Sequence, residues 1–491
     1  MKTMISPTTD SRSLLARGIH TALDGSYLDL VMVGIALLAL YATITQTLRA
    51  TGIAWTPSAT IAIVSVVSSI AIFLLRASDS LLRAISCLCE RIPRMSLWTI
   101  GILGVALRLA WILLFPTAPS SDGAVYLRLA HHLAIGLPYE IVGTKAYWPP
   151  GYPIFLAPWI HVLENLRLSY LVSNFALFAL GLVGIARLAT ELANSRAGRI
   201  AATLFAIWPN LISNIATPEK ELLVLALVVW ATLFLIQTLR YSANSKSFLT
   251  GLLLGAGILV QPSLQLLPIC VCAFFFASTN SHRTMLTRSG LLLLGSVLVI
   301  SPWTIRNYQI LDRFVLVATN GGDNFYRANN PQATGGYTSR GEHDLAQLSE
   351  LERDAEGRKL GMSWIKANPR DFVSLMFEKQ IRFMGDDSVG VYNTFREDRR
   401  SVPHTFYVAL KLLTNSWWIF VWLLIAVLAI SMRKTGDTPP PLTRSLFWSW
   451  LYLFGIHSVF ESAGKYHVPM LWVPCIIIAI YINVLDKTQI P

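Results

Sequence analysis

The chain has 491 residues, 54% of them hydrophobic and only 14% charged, against about 25% charged in a soluble globular chain. Its 40 Lys and Arg against 28 Asp and Glu leave a formal net charge of +12. Among recurrent apolar runs this excludes an ordinary soluble enzyme, and the basic excess reads as a membrane-topology signal with no nucleic-acid partner implied.

Apolar runs fall at 27–47, 53–76, 97–116, 167–188, 198–216, 220–240, 248–262, 263–277, 288–305, 405–430, 445–460 and 466–485. They predict an all-α polytopic membrane protein with about twelve transmembrane helices. Residues 1–26 are polar and lack the apolar core of a cleavable leader, so none is expected. Within 248–277, Gln261 and Pro262 break the run, which reads as a short helical hairpin. Cys87 and Cys89 have no second ligand pair nearby, and Cys270, Cys272 and Cys475 lie in apolar runs, so neither zinc nor disulfides are suggested.

Basic residues cluster in alternate connections: Arg76, Arg83, Arg91 and Arg94; Arg187, Arg196 and Arg199; Arg240 and Lys246; Arg283 and Arg288; Arg433, Lys434 and Arg444. All fall on one side if the spans hold. That side is the cytoplasm, with both termini there. Segments 117–166 and 306–404 then face outside. The second holds 14 Lys and Arg and 14 Asp and Glu, so it lacks cytoplasmic bias. Its 343–383 stretch has helical spacing, and Asn368 and Pro369 divide it into two helices. Four regions result: an extra N-terminal pair of spans in 1–96, a core in 97–305 with outer loop 117–166, the outer segment 306–404, and C-terminal spans in 405–491.

The polar residues of the outer face could carry chemistry. SSDGAVYLRLAHH places Asp122 just after a span; alone it reads as a helix cap. AYWPPGYPIFLAPW suggests a short interfacial helix, with Trp148, Tyr152 and Trp159 in the headgroup belt. IATPEKELLVLAL sets Glu219 and Glu221 at the mouth of a span, where first-turn acids are also favoured by the helix dipole. Arg306 leaves the membrane in ISPWTIRNY and leads into VATNGGDNFYRANNPQATGGY, which holds Asn320 and Asn324 and also reads as turns. ESAGKYHVP places Glu461, Lys465 and His467 at the last pair of spans; Lys465 and His467 also suit a simple interfacial anchor. His131 and His132 fit a solvated helix face better than a metal site. Arg108 sits mid-span, where a charge needs a partner: a buried carboxylate or a lipid phosphate.

Acids and cations sharing one face suggest transfer chemistry on a lipid-linked phosphate. A departing phosphate needs cations, and an acceptor hydroxyl needs a base. A carboxylate partly desolvated at the membrane edge has its pKa raised.

In this order, SSDGAVYLRLA, AYWPPGYPIFLA, TPEKELLVL, SPWTIRNYQILDRFVLVATNGGDNFYRANNPQATGGY, WIKANPRDFVSLMFEKQIRF and GKYHVPMLWVP resemble the GT-C class of membrane glycosyltransferases. The resemblance covers roughly residues 97–485 and is nearest to the bacterial family 39 branch, with the lipid A aminoarabinose transferases and protein O-mannosyltransferases. It implies an inverting transferase of the bacterial inner membrane. Such an enzyme moves a sugar from a polyprenyl-phosphate donor to a periplasmic lipid, glycan or protein. Asp122 is then the base, with Glu219 or Glu221 as second acid. Arg306, Lys465 and His467 hold the donor phosphate, and Tyr126, Trp148, Tyr152, Asn320, Asn324 and Arg108 contact substrate. Asp122 and Glu221 would hold a divalent metal ion if one is used. Lys465 stands where many relatives carry Arg, Gln261 precedes Pro262 where relatives often have Arg, and Gly123 replaces a second acid, which weakens a protein acceptor. The alternatives are a transporter or flippase of a lipid-linked sugar, or a ligase or polymerase using a lipid-diphosphate oligosaccharide.

Overall fold

The computed structural model describes residues 25–50, 95–278, 281–338, 343–397 and 402–488, with short helical pieces between 62 and 77. Arg83, Arg91, Arg94, Cys87, Cys89, residues 1–24 and most of the expected 53–76 span lie outside the described residues.

The described residues are helical, with no strand among them. Among the described residues six helices are long and apolar enough to cross a membrane, and a seventh crossing arises if a pair bent by 50°, Gly464–Met470 and Trp472–Asp486, is one span, which is fewer than the twelve expected. The chain is therefore an all-α, multi-pass membrane protein. Helix α1 (Gly25–Ala50) packs against α16 (His404–Thr435) and α14 (Pro369–Met384), and Arg49 pairs with Glu378 of α14. Helices α2 (Leu97–Leu114), α5 (Leu166–Leu192), α8 (Glu221–Tyr241) and α11 (His282–Leu311) are the other long ones.

The expected 198–216 span is broken. Helix α6 (Ser195–Ala206) stops, and α7 (Pro209–Ser213) and a 3₁₀ turn, Asn214–Ala216, follow. Pro209 has no N–H to donate, and its ring would clash with the carbonyl of Phe205. The break leaves the Ala206 carbonyl unused by the helix, and Arg108 Nη1 donates to it at 2.8 Å and to Gly104 O at 3.0 Å. The guanidinium lies 3.8 Å from the Phe178 ring centre and is 1% exposed. Arg108 thus finds neither a carboxylate nor a position at a lipid phosphate. It closes a helix C-terminus, where a cation meets the negative end of the dipole.

The expected hairpin is present: α9 (Asn244–Val260) ends at Gln261, and a 3₁₀ turn from Pro262 leads into α10 (Leu267–Ser278). Helix α9 approaches α11 backbone to backbone. A Cβ at Gly251 would stand 2.0 Å from Leu292 O, one at Gly295 2.5 Å from Phe248 O, and Ser296 Oγ donates to Gly251 O at 3.0 Å. Small residues permit such contact where no hydrophobic force draws helices together in lipid. Gly251→Leu is expected to destabilise the detergent-solubilised protein by about 3 kcal/mol, the upper end for overpacking. A thermal midpoint equal to wild type would refute this packing.

In the 117–166 segment, α3 (Ser121–Ala134) and α4 (Gly151–Leu163) pack together. Tyr152 is wholly buried, so it is not a headgroup-belt residue; its ring instead meets the Tyr126 ring edge-on at 5.8 Å. The Gly- and Asn-rich loop contains a helix, α12 (Gly321–Ala328), lying on α13 (Glu350–Ala367). As expected, Asn368 and Pro369 separate α13 from α14. Ser349 and Glu352 form a reciprocal cap at the start of α13. A short helix, α15 (Val389–Thr394), precedes α16; α17 (Arg444–Val459) and α18 (Trp472–Thr488) complete the chain.

Candidate active site

Asp122 is the second residue of α3. Ser120, at the cap position, makes no side-chain cap, and Asp122 Oδ2 accepts from Lys465 Nζ at 3.0 Å. The helix N-terminus still favours the negative charge there. Burial pushes the Asp122 carboxyl up, but the charge and hydrogen bond of Lys465, with the charges of Lys220 and Arg396, outweigh it and hold the group below its ordinary value. The raised pKa expected of a membrane-edge acid is thus reversed by the cations around it.

Two close approaches bring these partners together. Gly123 lies against the loop before α8: a Cβ there would stand 3.2 Å from Pro218 O and 3.3 Å from Glu219 Oε1. A side chain at this position would push Glu219 away from Asp122. That loop is tied down from α5, where the buried Asn174 amide donates to Ile215 O and Thr217 O, both at 2.9 Å. At the far end of the sequence, a Cβ at Gly464 would lie 1.8 Å from Asp386 O, so only glycine allows the 3₁₀ turn Gly464–Met470 to set Lys465 beside Asp122.

These residues open onto a cavity of about 570 Å³. Asp122, Tyr126, Trp148, Glu219, Asn320, Asn324 and Lys465, all expected at the site, line it. So do Lys220, Arg327 and Arg396, which the sequence reading passed over. Lys220 had a visible signal as the cation between two acids at a span mouth. Arg327 had less, being one polar residue in a polar loop. In the structure Asp323 and the Tyr147 hydroxyl hold Arg327 at the cavity wall.

Glu221 is buried at 3% exposure and does not line the cavity. Burial and the neighbouring Glu221 charge push Glu219 well above the ordinary carboxyl range. In such a group the native state binds more protons than the unfolded one above pH about 4.3, so stability falls with rising pH through that window. Glu219→Gln, an uncharged mimic of the protonated acid, is expected to flatten that fall. Parallel melting curves of wild type and variant between pH 5 and pH 8 would refute the assignment.

Two expected phosphate contacts lie elsewhere. Arg306 Nη1 donates to Lys145 O at 2.7 Å and Nη2 to Tyr139 O at 3.1 Å, while the guanidinium sits 4.4 Å from the Trp303 ring centre. It fastens the 135–150 loop that carries Trp148 and does not line the cavity. His467 is fully buried, with Nε2 3.0 Å from Asp387 Oδ1 and its ring stacked on Trp418 at 4.5 Å. Asp387 also accepts from Trp208 Nε1 at 2.7 Å and from the Asn210 amide. His467 thus locks the turn that presents Lys465.

Among the described residues no three His, Cys, Asp or Glu side chains group as metal ligands do. The cation at Asp122 is Lys465, and Glu221 lies behind the cavity wall, so this donor set does not fit a divalent ion.

Residues 148–305 match the family model described as dolichyl-phosphate-mannose-protein mannosyltransferase. The chain resembles the GT-C membrane glycosyltransferases. Among solved structures it is similar to the apo oligosaccharyltransferase of Archaeoglobus fulgidus, with 13% identity, a TM-score of 0.48, and coverage of 80% of this chain and 50% of that one. It is also similar to AglB, the oligosaccharyltransferase of that organism, in complex with an inhibitory peptide and a dolichol-phosphate (12% identity, TM-score 0.47, 80% and 50% covered). The chain spans about half the length of these solved structures. No curated protein matches its sequence.

Proposed function

We propose that this protein is an inverting glycosyltransferase that moves a sugar from a polyprenyl-phosphate donor to an acceptor hydroxyl on the outer face of a membrane. One observation carries the reading: an ionised carboxylate, Asp122, held by Lys465, shares a 570 Å³ cavity with Lys220, Arg327 and Arg396. The match over 148–305 supports it.

Asp122 removes the proton of the acceptor hydroxyl as its oxygen bonds to the anomeric carbon. The carbon–oxygen bond to phosphate breaks on the opposite side, and its electron pair leaves on polyprenyl phosphate. Lys220, Arg327 and Arg396 neutralise that leaving group, which needs cations more than a proton. Protonated Glu219 donates a hydrogen bond to substrate. Lys465 keeps Asp122 ionised and aimed. The role of donor-phosphate ligand, expected of Arg306 and His467, passes to cations that line the cavity.

Helix α8 supports the orientation proposed here. Glu221 is at its cavity end; at the other, Arg240 meets Glu191 at 3.0 Å. The helix has 21 residues, about 30 Å at 1.5 Å rise. Arg196 and Asp486 pair at that far end too, close to the hydrogen-bonded Asn194 and Asn483. By the positive-inside rule the basic end is cytoplasmic and the cavity faces the periplasm.

The test is reconstitution in proteoliposomes with radiolabelled polyprenyl-phosphate mannose and an acceptor extract of the cell envelope. Label is expected to pass from lipid to acceptor with inverted anomeric configuration. Movement of intact lipid between leaflets, with the sugar–phosphate bond never cleaved, would make the protein a flippase instead.

A further inference from the structure

The cavity is also lined by a carboxylate, Glu461, that the mechanism above does not use. It follows α17, whose chain turns extended at Phe460. Its side chain lines the cavity, yet the residue is only 9% exposed. Oε1 accepts from the Tyr466 hydroxyl at 2.5 Å. Oε2 is buried and has no hydrogen-bond partner among the described residues. The arrangement is rigid: the Tyr466 ring stacks on His457 at 4.2 Å, and His457 Nδ1 lies 2.9 Å from the Glu461 carbonyl oxygen.

A buried acceptor without a donor is destabilising, and more so when charged. Lys465, four residues on, is engaged with Asp122, so it does not relieve this one. A hydrogen-bond donor that arrives with a ligand on the cavity side of this carboxylate offsets that cost. Asn320 and Asn324, whose amides both donate and accept, line the same cavity, and Trp148 adds an aromatic ring. A fixed carboxylate, amides and an aromatic face recognise a ring bearing several hydroxyls. They do not recognise a phosphate, which repels the acid, or a prenyl chain, which has no donor.

We propose that the Glu461 carboxylate accepts a hydrogen bond from a hydroxyl of the transferred sugar, with Tyr466 as its positioning residue, and that this contact selects the sugar. The inference rests on the transferase reading for where the sugar lies, but binding alone tests it. A site built around a substrate hydroxyl rejects analogues lacking it strongly, up to about 10⁴-fold.

The experiment uses the full chain in detergent, with polyprenyl phosphate and its mannosyl, glucosyl and galactosyl esters as probes, read by equilibrium binding and by transfer. Wild type is expected to bind one sugar ester at least about 10-fold tighter than bare polyprenyl phosphate. Glu461→Gln is expected to erase most of that preference while leaving the affinity for the bare lipid within about twofold. Tyr466→Phe, which keeps the carboxylate but frees it, is expected to lose part of the preference and covers the case in which the first variant does not fold. Equal weakening of bare and sugar-bearing lipids in both variants would overturn the proposal, as would a wild type with no sugar preference. A Glu461-dependent preference without sugar release would leave this contact standing and refute the transferase reading. Transfer whose sugar selectivity survives both changes would do the reverse.

Discussion

Asp122→Asn is expected to slow sugar transfer by about 10²–10⁴-fold, the range a positioned general base contributes. The amide keeps the shape of the carboxylate, and its oxygen still accepts from Lys465, so the cavity stays closed at that point. What is lost is the lone pair that takes the acceptor proton. The loss should therefore fall on kcat, with donor affinity little changed, because Lys220, Arg327 and Arg396 still face the phosphate. The Asp122–Lys465 pair is about a third exposed on both sides, so its own share of stability is small. A variant that melts with wild type yet transfers at the wild-type rate would leave Asp122 only its place in the first turn of α3. Because cations hold the carboxyl below its ordinary value, Asp122 should add no acid limb to the rate profile between pH 5 and pH 8.

Asp387→Ala is expected to be the most damaging single change to the fold, at about 3–5 kcal/mol, the cost of leaving one side of a buried polar pair alone. Asp387 is 0% exposed and receives the Trp208 indole, the Asn210 amide and His467. Its own backbone N–H donates to Asn415 Oδ1 at 2.8 Å. It thus joins four pieces distant in sequence: the break after α6, the loop before α15, helix α16, and the turn carrying Lys465. Removing it strands several donors in an apolar interior. Loss of the folded peak on size exclusion, or a sharply lowered thermal midpoint, is the expected readout. An unchanged midpoint would show that water enters this network and satisfies it.

The long apolar runs and the gathering of Asp122, Glu219 and Lys465 on one face were legible in the sequence. Hydropathy over a span is a property of consecutive residues, and a charge at the end of a run has a place in the bilayer whatever its neighbours do. The Gln261, Pro262 break and the Asn368, Pro369 division were legible for the same local reason, since proline acts on its own backbone. The proline of the 198–216 run was equally visible, but what its break would do depended on Arg108, nearly a hundred residues earlier.

Partnership was not legible. Arg306, His467 and Lys465 all read as outer-face cations of one kind. Tertiary packing gave Arg306 two loop carbonyls and an indole face, His467 a buried aspartate and Trp418, and Lys465 the one place beside Asp122. The acidity of Asp122 went the same way. Sequence position implies desolvation, which raises a carboxyl; only the assembled site supplies the nearby positive charges that lower it. The sequence by itself determined the membrane class, the helices and the face on which polar groups gather. The tertiary structure alone decided which of those groups meet, because a side chain's charge is local but its partner is set by backbone approaches such as that at Gly464, where a single Cβ would meet Asp386 O at 1.8 Å and displace the turn that sets Lys465 beside Asp122.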